Sequence, residues 1–300
     1  MADSAWTRAG TVRGAGLLAR TLGRCVARGL LVVMLGGFLG ATLVRVAPGF
    51  GVDEEELDSR LSTASQLAIR QADAPPEALL PFYLHYWERL LHGDLGESRL
   101  LHMPVRQLLA ERSPETLKSV ALGLALAWSA GLALAIAAVM SRAGSVDLLA
   151  GLLASTLLCI PAAVLALLFV ILRAPGRLAI GAVVFPTVFQ YARNLLARAA
   201  ARPHVLAARA RGAAEARVFL CHILPVAAPQ LLALAGISVS MAFAAAIPVE
   251  ALCDLPGLGQ LAWQAAMGRD PMLLVNLTIV VTLLTLVANS VADLAGMERA

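Results

Sequence analysis

Three groupings of side chains in this 300-residue chain have the residue types for chemistry: histidines before residue 103, serines inside apolar stretches, and an arginine-rich segment that also holds Gly, Glu and His. His85, His92 and His102 are separated by seven and ten residues, which puts no pair on a shared helical face with ligand geometry, so they read as solvated loop residues and not as a nickel site. Cys25, Cys159, Cys221 and Cys253 are scattered without a Cys-x-x-Cys pair, implying neither a disulfide framework nor a zinc site. Ser129, Ser155, Ser238 and Ser240 would need a buried base and acid to act as nucleophiles, and neither His222 nor any carboxylate joins them. Lys118, in Leu117-Lys118-Ser119, lacks the preceding glycine of a P-loop. The chain is therefore read as non-catalytic, with no metal or cofactor of its own.

The third grouping is more specific. It runs His204-Val205-Leu206-Ala207-Ala208-Arg209-Ala210-Arg211-Gly212, continues through Glu215 and Cys221, and closes on His222-Ile223-Leu224-Pro225. Propensity makes this an Ala-rich helix ended by Gly212, a short second helix, and a proline leading into the next element. A short helix with one apolar face, a glycine hinge and arginine donors for a partner's carboxylates has the makings of a transmitter. Pro256-Gly257-Leu258-Gly259, preceded by Val249-Glu250 and followed by Arg269-Asp270, reads as a tight turn whose glycines permit positive φ and close backbone approach.

The elements that must position these segments are apolar. The chain is 59% hydrophobic and 15% charged, with a mean hydropathy of +0.77, far more apolar surface than one soluble core could hide. Six stretches lack acidic and basic residues at lengths near a bilayer crossing: Gly29–Val44, Ser119–Ser141, Leu148–Leu172, Leu178–Ala192, Val218–Val249 and Pro271–Ala292. The first and fourth are short, and flanking arginines can snorkel. Pro161 and Pro186 are expected to kink their spans. The expected fold is an all-α polytopic bundle of about six transmembrane helices. Its order is a cytoplasmic segment (1–25), a first span (26–44), an external region (45–116) and a core (117–300) with a cytoplasmic loop at 193–225. The N-terminal run lacks a small-residue cleavage motif and reads as an uncleaved first span.

With both termini in the cytoplasm, thirteen arginines face five acidic residues on the inner side, and eleven basic residues face fifteen acidic ones outside. That asymmetry follows the positive-inside rule. The pI near 9.2 then describes loops beside anionic lipid and partner proteins, with no case for nucleic acid. Span interiors without ionisable residues argue against the alternative of a secondary transporter or channel, which couples flux through such groups.

Several blocks carry a family resemblance in order along the chain. Ala208, Arg209, Ala210, Gly212, Glu215, Val218, His222 and Leu224 match in register the EAA loop of ABC importer permeases, in its peptide/nickel branch. Leu206 stands where the wider pattern has Glu. Glu250, Pro256-Gly257-Leu258-Gly259, Gln264-Ala265 and Arg269-Asp270-Pro271 resemble the family's second signature. Arg45-Val46-Ala47-Pro48-Gly49 resembles its RLAPGDP run, with Phe50 replacing the acid. Gly93-Asp94-Leu95-Gly96-Glu97-Ser98, Glu111-Arg112-Ser113-Pro114-Glu115-Thr116-Leu117, Asn289 and Asp293 also fall where the family carries them. The loop from Arg173 to Arg177 and the tail after Met297 are shorter than usual.

The resemblance implies a type I importer permease in the bacterial inner membrane, forming half of a pathway for peptides or a related solute. It implies a coupling segment (Ala207, Ala208, Arg209, Arg211, Gly212, Glu215, His222, Leu224) that docks on a separate ATPase. An external gate would use Glu250, Pro256, Gly257, Gly259, Arg269 and Asp270. The implied partners are a second permease, more readily a different chain than a copy, two ATP-binding subunits that hold the ATP and magnesium, and a periplasmic or lipid-anchored substrate-binding protein. Membrane lipid surrounds the assembly.

Overall fold

Alanine, leucine and valine dominate long runs with few breakers, and in lipid the backbone must satisfy its own hydrogen bonds, so the chain folds into helices. The computed structural model describes residues 92–141 and 144–297, together with 86–90 and positions 29, 31, 34–36, 38, 42 and 81. The 1–25 segment, most of the 26–44 span, Arg45 to Phe50, the acidic run from Asp53 to Asp58, Tyr83 and His85 lie outside the described residues, as do the side chains from 291 onward. Among the described residues there is no β-strand. In order come α1 (Val105–Met140), α2 (Gly144–Cys159), α3 (Ala162–Ile171), α4 (Arg177–Ala200), α5 (Pro203–Ala210), α6 (Glu215–Val218), a π-helical turn (Phe219–Ile223), α7 (Leu224–Leu252), α8 (Leu258–Met267) and α9 (Pro271–Met297).

Contacts divide the chain into two compact units: Met1–His102 with Arg269–Leu283, and Met103–Gly268 with Leu284–Ala300. In the larger unit, the most extensive helix pairing is α1 with α4. Its cause is a stripe of small residues at four-residue spacing on α1: Gly123, Ala127, Gly131 and Ala135, all buried. A Cβ at Gly123 would lie 2.7 Å from the Ile180 side chain, and one at Gly131 3.0 Å from Val188. Small residues thus let the two backbones approach, which is how helices gain dispersion contacts in lipid. Ile180, Val184, Val188, Phe189, Ala192 and Leu196 of α4 are fully buried, and Phe185 stacks on Phe189 at 6.1 Å.

In the smaller unit, Tyr86, Val275 and Ile279 form a buried cluster with Phe38, Trp87, Leu90 and Met272 around it. Tyr86 donates its hydroxyl to Asn276 Oδ1 at 3.0 Å, and Asn276 Nδ2 donates to the carbonyls of Leu95 and Met272.

Three described helices are long and apolar enough to cross a membrane: Val105–Met140, Glu215–Leu252 taken through the π-helical turn, and Pro271–Ser290. They cover the expected fifth span and all but the last one or two residues of the second and sixth. The Leu148–Leu172 stretch is not one straight span: α2 and α3 meet at 102° across Ile160-Pro161. Pro161 is extended at ψ 145° and begins α3, having no N–H to continue α2. The Leu178–Ala192 stretch lies in α4, which is not among the three by length and composition, since Gln190 lies within the stretch and Arg193 and Asn194 follow it; much of α4 is buried in its unit. Pro186 lies inside a continuous α4. The second span is longer than its apolar part, since α1 begins at Val105.

Candidate functional site: a helical hairpin and a buried turn

The segment at 203–224 folds as a helical hairpin. Pro203 starts α5, its missing N–H being one the helix start leaves unpaired anyway. Gly212 ends it at φ +79°, with the Gly212 N–H donating to Arg209 O and the Ala213 N–H to Ala208 O, the paired bonds of a Schellman turn. Arg209 Nη2 donates to Glu215 Oε2 at 3.1 Å, tying the hinge to the first turn of α6. His204 and His222 stack with centroids 6.4 Å apart, and His204 Nε2 lies 3.4 Å from the His222 carbonyl. Val205, Ala208, Val218 and Ile223 point into the unit, whereas Leu206 and Leu220 are 55% and 59% exposed. Ala207, Arg211 and Leu224 complete the group; Arg211 donates back to Ala207 O, and Leu224 opens α7 after the π-helical turn. Every sequence-predicted coupling residue thus lies in one hairpin, which shows a solvent-facing apolar pair beside arginines.

The Pro256–Gly259 turn is different in kind. Glu250, fully buried near the end of α7, accepts the Gly259 N–H at 2.7 Å and the Thr116 hydroxyl at 3.0 Å, both on Oε2. Thr116 Oγ1 accepts the Leu258 N–H at 2.7 Å. Gly257 sits against the Glu250 carboxyl: a Cβ there would lie 2.2 Å from Oε2. A Cβ on Gly259 would lie 2.7 Å from Ile247 Cα. Positive φ is not what the turn uses these glycines for, since Gly257 is at φ −108°; the left-handed residue is Asp254, at φ 53°. Close approach is the requirement. Around the rim, Arg112 donates to Gln260 Oε1 at 3.1 Å, Gln260 donates to Asp254, and Arg177 bonds Glu115 at 2.7 Å.

Arg269 and Asp270, predicted with that turn, belong to the smaller unit. There Asp270 is fully buried and accepts the Ser98 hydroxyl at 2.6 Å, the Leu100 N–H at 3.3 Å and the Leu273 N–H at 3.0 Å. The Gly93–Ser98 block is therefore folded onto the start of α9. Asp94 Oδ1 accepts the Gly96 N–H at 2.8 Å and Oδ2 the Arg89 guanidinium at 2.7 Å. These bonds, the Gly96 amide first, hold the Asp94 carboxyl below the usual carboxylate range.

The remaining candidates serve packing. Ser238 accepts the Trp128 indole N–H at 2.9 Å, Ser240 donates to Asn289 at 3.0 Å, and Ser129 bonds Leu126 O. Asp147 and Arg193 pair between α2 and α4. His92 Nδ1 lies 2.7 Å from Glu88 O, and no group of three His, Cys, Asp or Glu that could hold a metal ion exists among the described residues. Sequence reasoning did not assign Thr116 or Asn276. Their signal is a polar side chain beside or inside an apolar stretch, where a partner is required.

Comparison with known proteins adds four findings. The family described as "Binding-protein-dependent transport system inner membrane component" matches residues 124–296. A Brucella suis biovar 1 protein named as a peptide permease is 26% identical over 300 residues, covering 88% of this chain and 94% of its own. The glutathione transport system permease protein of Salmonella typhimurium is 26% identical, covering 80% of this chain and 83% of its own. Among solved structures, inward-facing conformations of the MetNI methionine ABC transporter superpose with a TM-score of 0.57 at 18% identity, covering 65% of this chain and 97% of that one.

Proposed function

The chain belongs to the binding-protein-dependent transport system inner membrane components, as a permease subunit of an ABC importer in the inner membrane, and from that premise we propose that it forms half of a pathway for peptides or small peptide-like solutes. The observation that carries the coupling reading is the hairpin at 203–224, where a Schellman turn and the Arg209–Glu215 pair fix two short helices that expose Leu206 and Leu220. Such a face suits a cleft on an ATP-binding subunit, with the arginines meeting its carboxylates. Two such subunits hold the ATP and magnesium, and this chain binds neither. A second, similar permease completes the pathway, and a periplasmic or lipid-anchored binding protein delivers the solute. Both termini face the cytoplasm, whose arginine-rich loops lie beside anionic lipid.

The region from 45 to 116 is the external docking surface, and 117–300 is the core. Glu250, Pro256, Gly257 and Gly259 serve the external gate, a role that the family resemblance also gives to Arg269 and Asp270 of the smaller unit. Peptides are favoured because the relatives covering most of their own length are named for peptide or glutathione transport. Alternating access then follows: closure of the ATP-binding subunits pulls the hairpin, and the helices rock about the pathway.

The test is affinity purification of the detergent-solubilised chain from its native membrane, with mass spectrometry of what accompanies it. Recovery of a P-loop ATPase and a second permease, lost when Gly212 is replaced by Pro, is the expected result. Recovery of the chain alone, with ATP-independent flux in liposomes, would overturn it.

A further inference from the structure

The N-terminus of α8 is capped by two other helices. Its first N–H groups, on Leu258 and Gly259, have no partner within the helix, and its N-cap is Gly257, which has no side chain to offer. Thr116, from α1, takes the Leu258 N–H; Glu250, from α7, takes the Gly259 N–H; and the Thr116 hydroxyl donates to Glu250, closing the set. Thr116, Leu258 and Glu250 are 2%, 1% and 0% exposed. The Glu250 carbonyl also accepts the Leu255 N–H at 3.0 Å, so one residue holds the turn by backbone and side chain. Gly257 and Gly259 leave no slack, as the distances from their Cβ positions show. Sliding α8 against α1 or α7 would strand two N–H groups, a hydroxyl and a carboxyl away from water, the costly way to lose a hydrogen bond.

From this geometry we infer that Thr116 and Glu250 are positioning residues that join α1, α7 and α8 into one rigid block. Through this block, α7 carries displacement from the coupling hairpin at its start to α8 at its end. The inference rests on the coupling reading above. α7 has 29 residues, about 43 Å at 1.5 Å per residue, with the hairpin leading into one end and Glu250 two residues from the other. No residue between them has to transmit a signal if α7 moves as one body, and its helix is continuous through Pro229 and Pro248. Glu250 acts as a double acceptor through Oε2, while Oε1 has no partner among the described residues. A glutamine can keep both accepted bonds.

The experiment uses the purified importer complex in proteoliposomes, with native cysteines replaced and spin labels at Leu122→Cys on α1 and Trp263→Cys on α8, both exposed positions. The α1–α8 distance is expected to be the same without nucleotide and after trapping with ATP, magnesium and vanadate. Thr116→Val should broaden it in the trapped state, and Thr116→Ser should restore it. Thr116→Val should also lower vesicle uptake per ATP hydrolysed, about tenfold if one buried hydrogen bond governs the transfer of motion, and Thr116→Ser, which keeps the hydroxyl, should recover it. A distance that changes on trapping in the parent, or that stays sharp in Thr116→Val, overturns the rigid block. In parallel, Gly257→Ala should lower the melting temperature of the parent but not of Glu250→Ala, whose shortened side chain removes the clash; additive shifts overturn the joint. The coupling reading fails separately, if Gly212→Pro leaves uptake per ATP unchanged.

Discussion

The hairpin at 203–224 and the turn at 256–259 both depend on glycine, for opposite reasons. Gly212 stands in open space, with no atom within 4 Å of where a Cβ would lie, and what it supplies is φ +79°. Gly257 has an ordinary φ and is hemmed in by a carboxyl, while Gly259 lies against the backbone of α7. Conformation is the demand at the first, volume at the second. The difference follows from what each turn must meet. On the proposed roles, a surface that docks another chain needs a fixed shape and free space around it, and a joint between helices needs contact on every side. The same contrast runs through the polar groups, with Arg209 and Glu215 partly exposed and Thr116 and Glu250 buried.

The largest expected effect is at Gly259. An alanine Cβ would meet Ile247 Cα at 2.7 Å and the carbonyls of Ala246 and Ile247 at 2.9 Å, all backbone of α7 with no rotamer to relax. Gly259→Ala should destabilise the protein by about 3 kcal/mol, the upper part of the usual overpacking range, read as thermal unfolding in detergent. A melting temperature equal to the parent's would show that the turn has slack and would remove the contrast.

Gly212 comes next. Alanine there must adopt the left-handed region, at about 1–2 kcal/mol, and because space is open a larger unbranched residue such as glutamine should cost about the same. Asparagine, which tolerates that region, should cost less. The check is unfolding of the three variants side by side. A cost that grows with side-chain size would mean that Gly212 is crowded after all.

The Arg209–Glu215 pair should matter little to stability. With side chains 34% and 55% exposed, its coupling in a double-mutant cycle should be about 0.2–1 kcal/mol and should vanish at about 1 M salt. Its effect on co-purification with an ATP-binding subunit should be far larger than its effect on melting. Equal effects on both would make the pair a fold element and not a docking one.

Much of this contrast was legible along the chain, and the part that was not has a physical reason. Gly212 declares itself locally, since an Ala-rich helix followed by Gly and a second helix is a helix end by propensity alone. Gly257 and Gly259 were legible as a turn, but the expectation of positive φ there failed because the turn's left-handed residue is Asp254. Thr116 was legible as part of a family-like run, but its role was hidden because its partners lie 134 and 142 residues away, and spacing rules reach only one helix at a time. The bend at Pro161 was legible as a kink but not as a right-angled break, which depends on how α2 and α3 separately pack. The Leu178–Ala192 stretch was legible as apolar, but not as the start of a helix that runs on through Arg193 and Asn194 to Ala200. Many of its apolar residues are buried among other helices, a placement that composition does not give.

The smallest effect tests whether one turn can combine both demands. In the Gly93–Ser98 block, Gly93 is at φ +78° in open space, like Gly212, whereas Gly96 is at φ +75° with Met272 3.1 Å from its Cβ position. Asp94 binds the two together by accepting the Gly96 N–H while paired with Arg89. Its carboxyl titrates below the usual range in the folded chain, so the ionised form is the one the turn favours. The contribution is present above the unfolded value, about 3.9, and is lost as pH falls through the lower folded value. Hydrogen exchange of the Gly96 amide, corrected for intrinsic rates, should therefore show constant protection from neutral pH down to about 4, falling only below it. Asp94→Asn keeps an acceptor for that amide but removes the titration, so its protection should be lower and flat with pH. A parent profile that falls between pH 7 and 5 would place the control in another group, leaving Gly96 to be explained by its contact with Met272 alone.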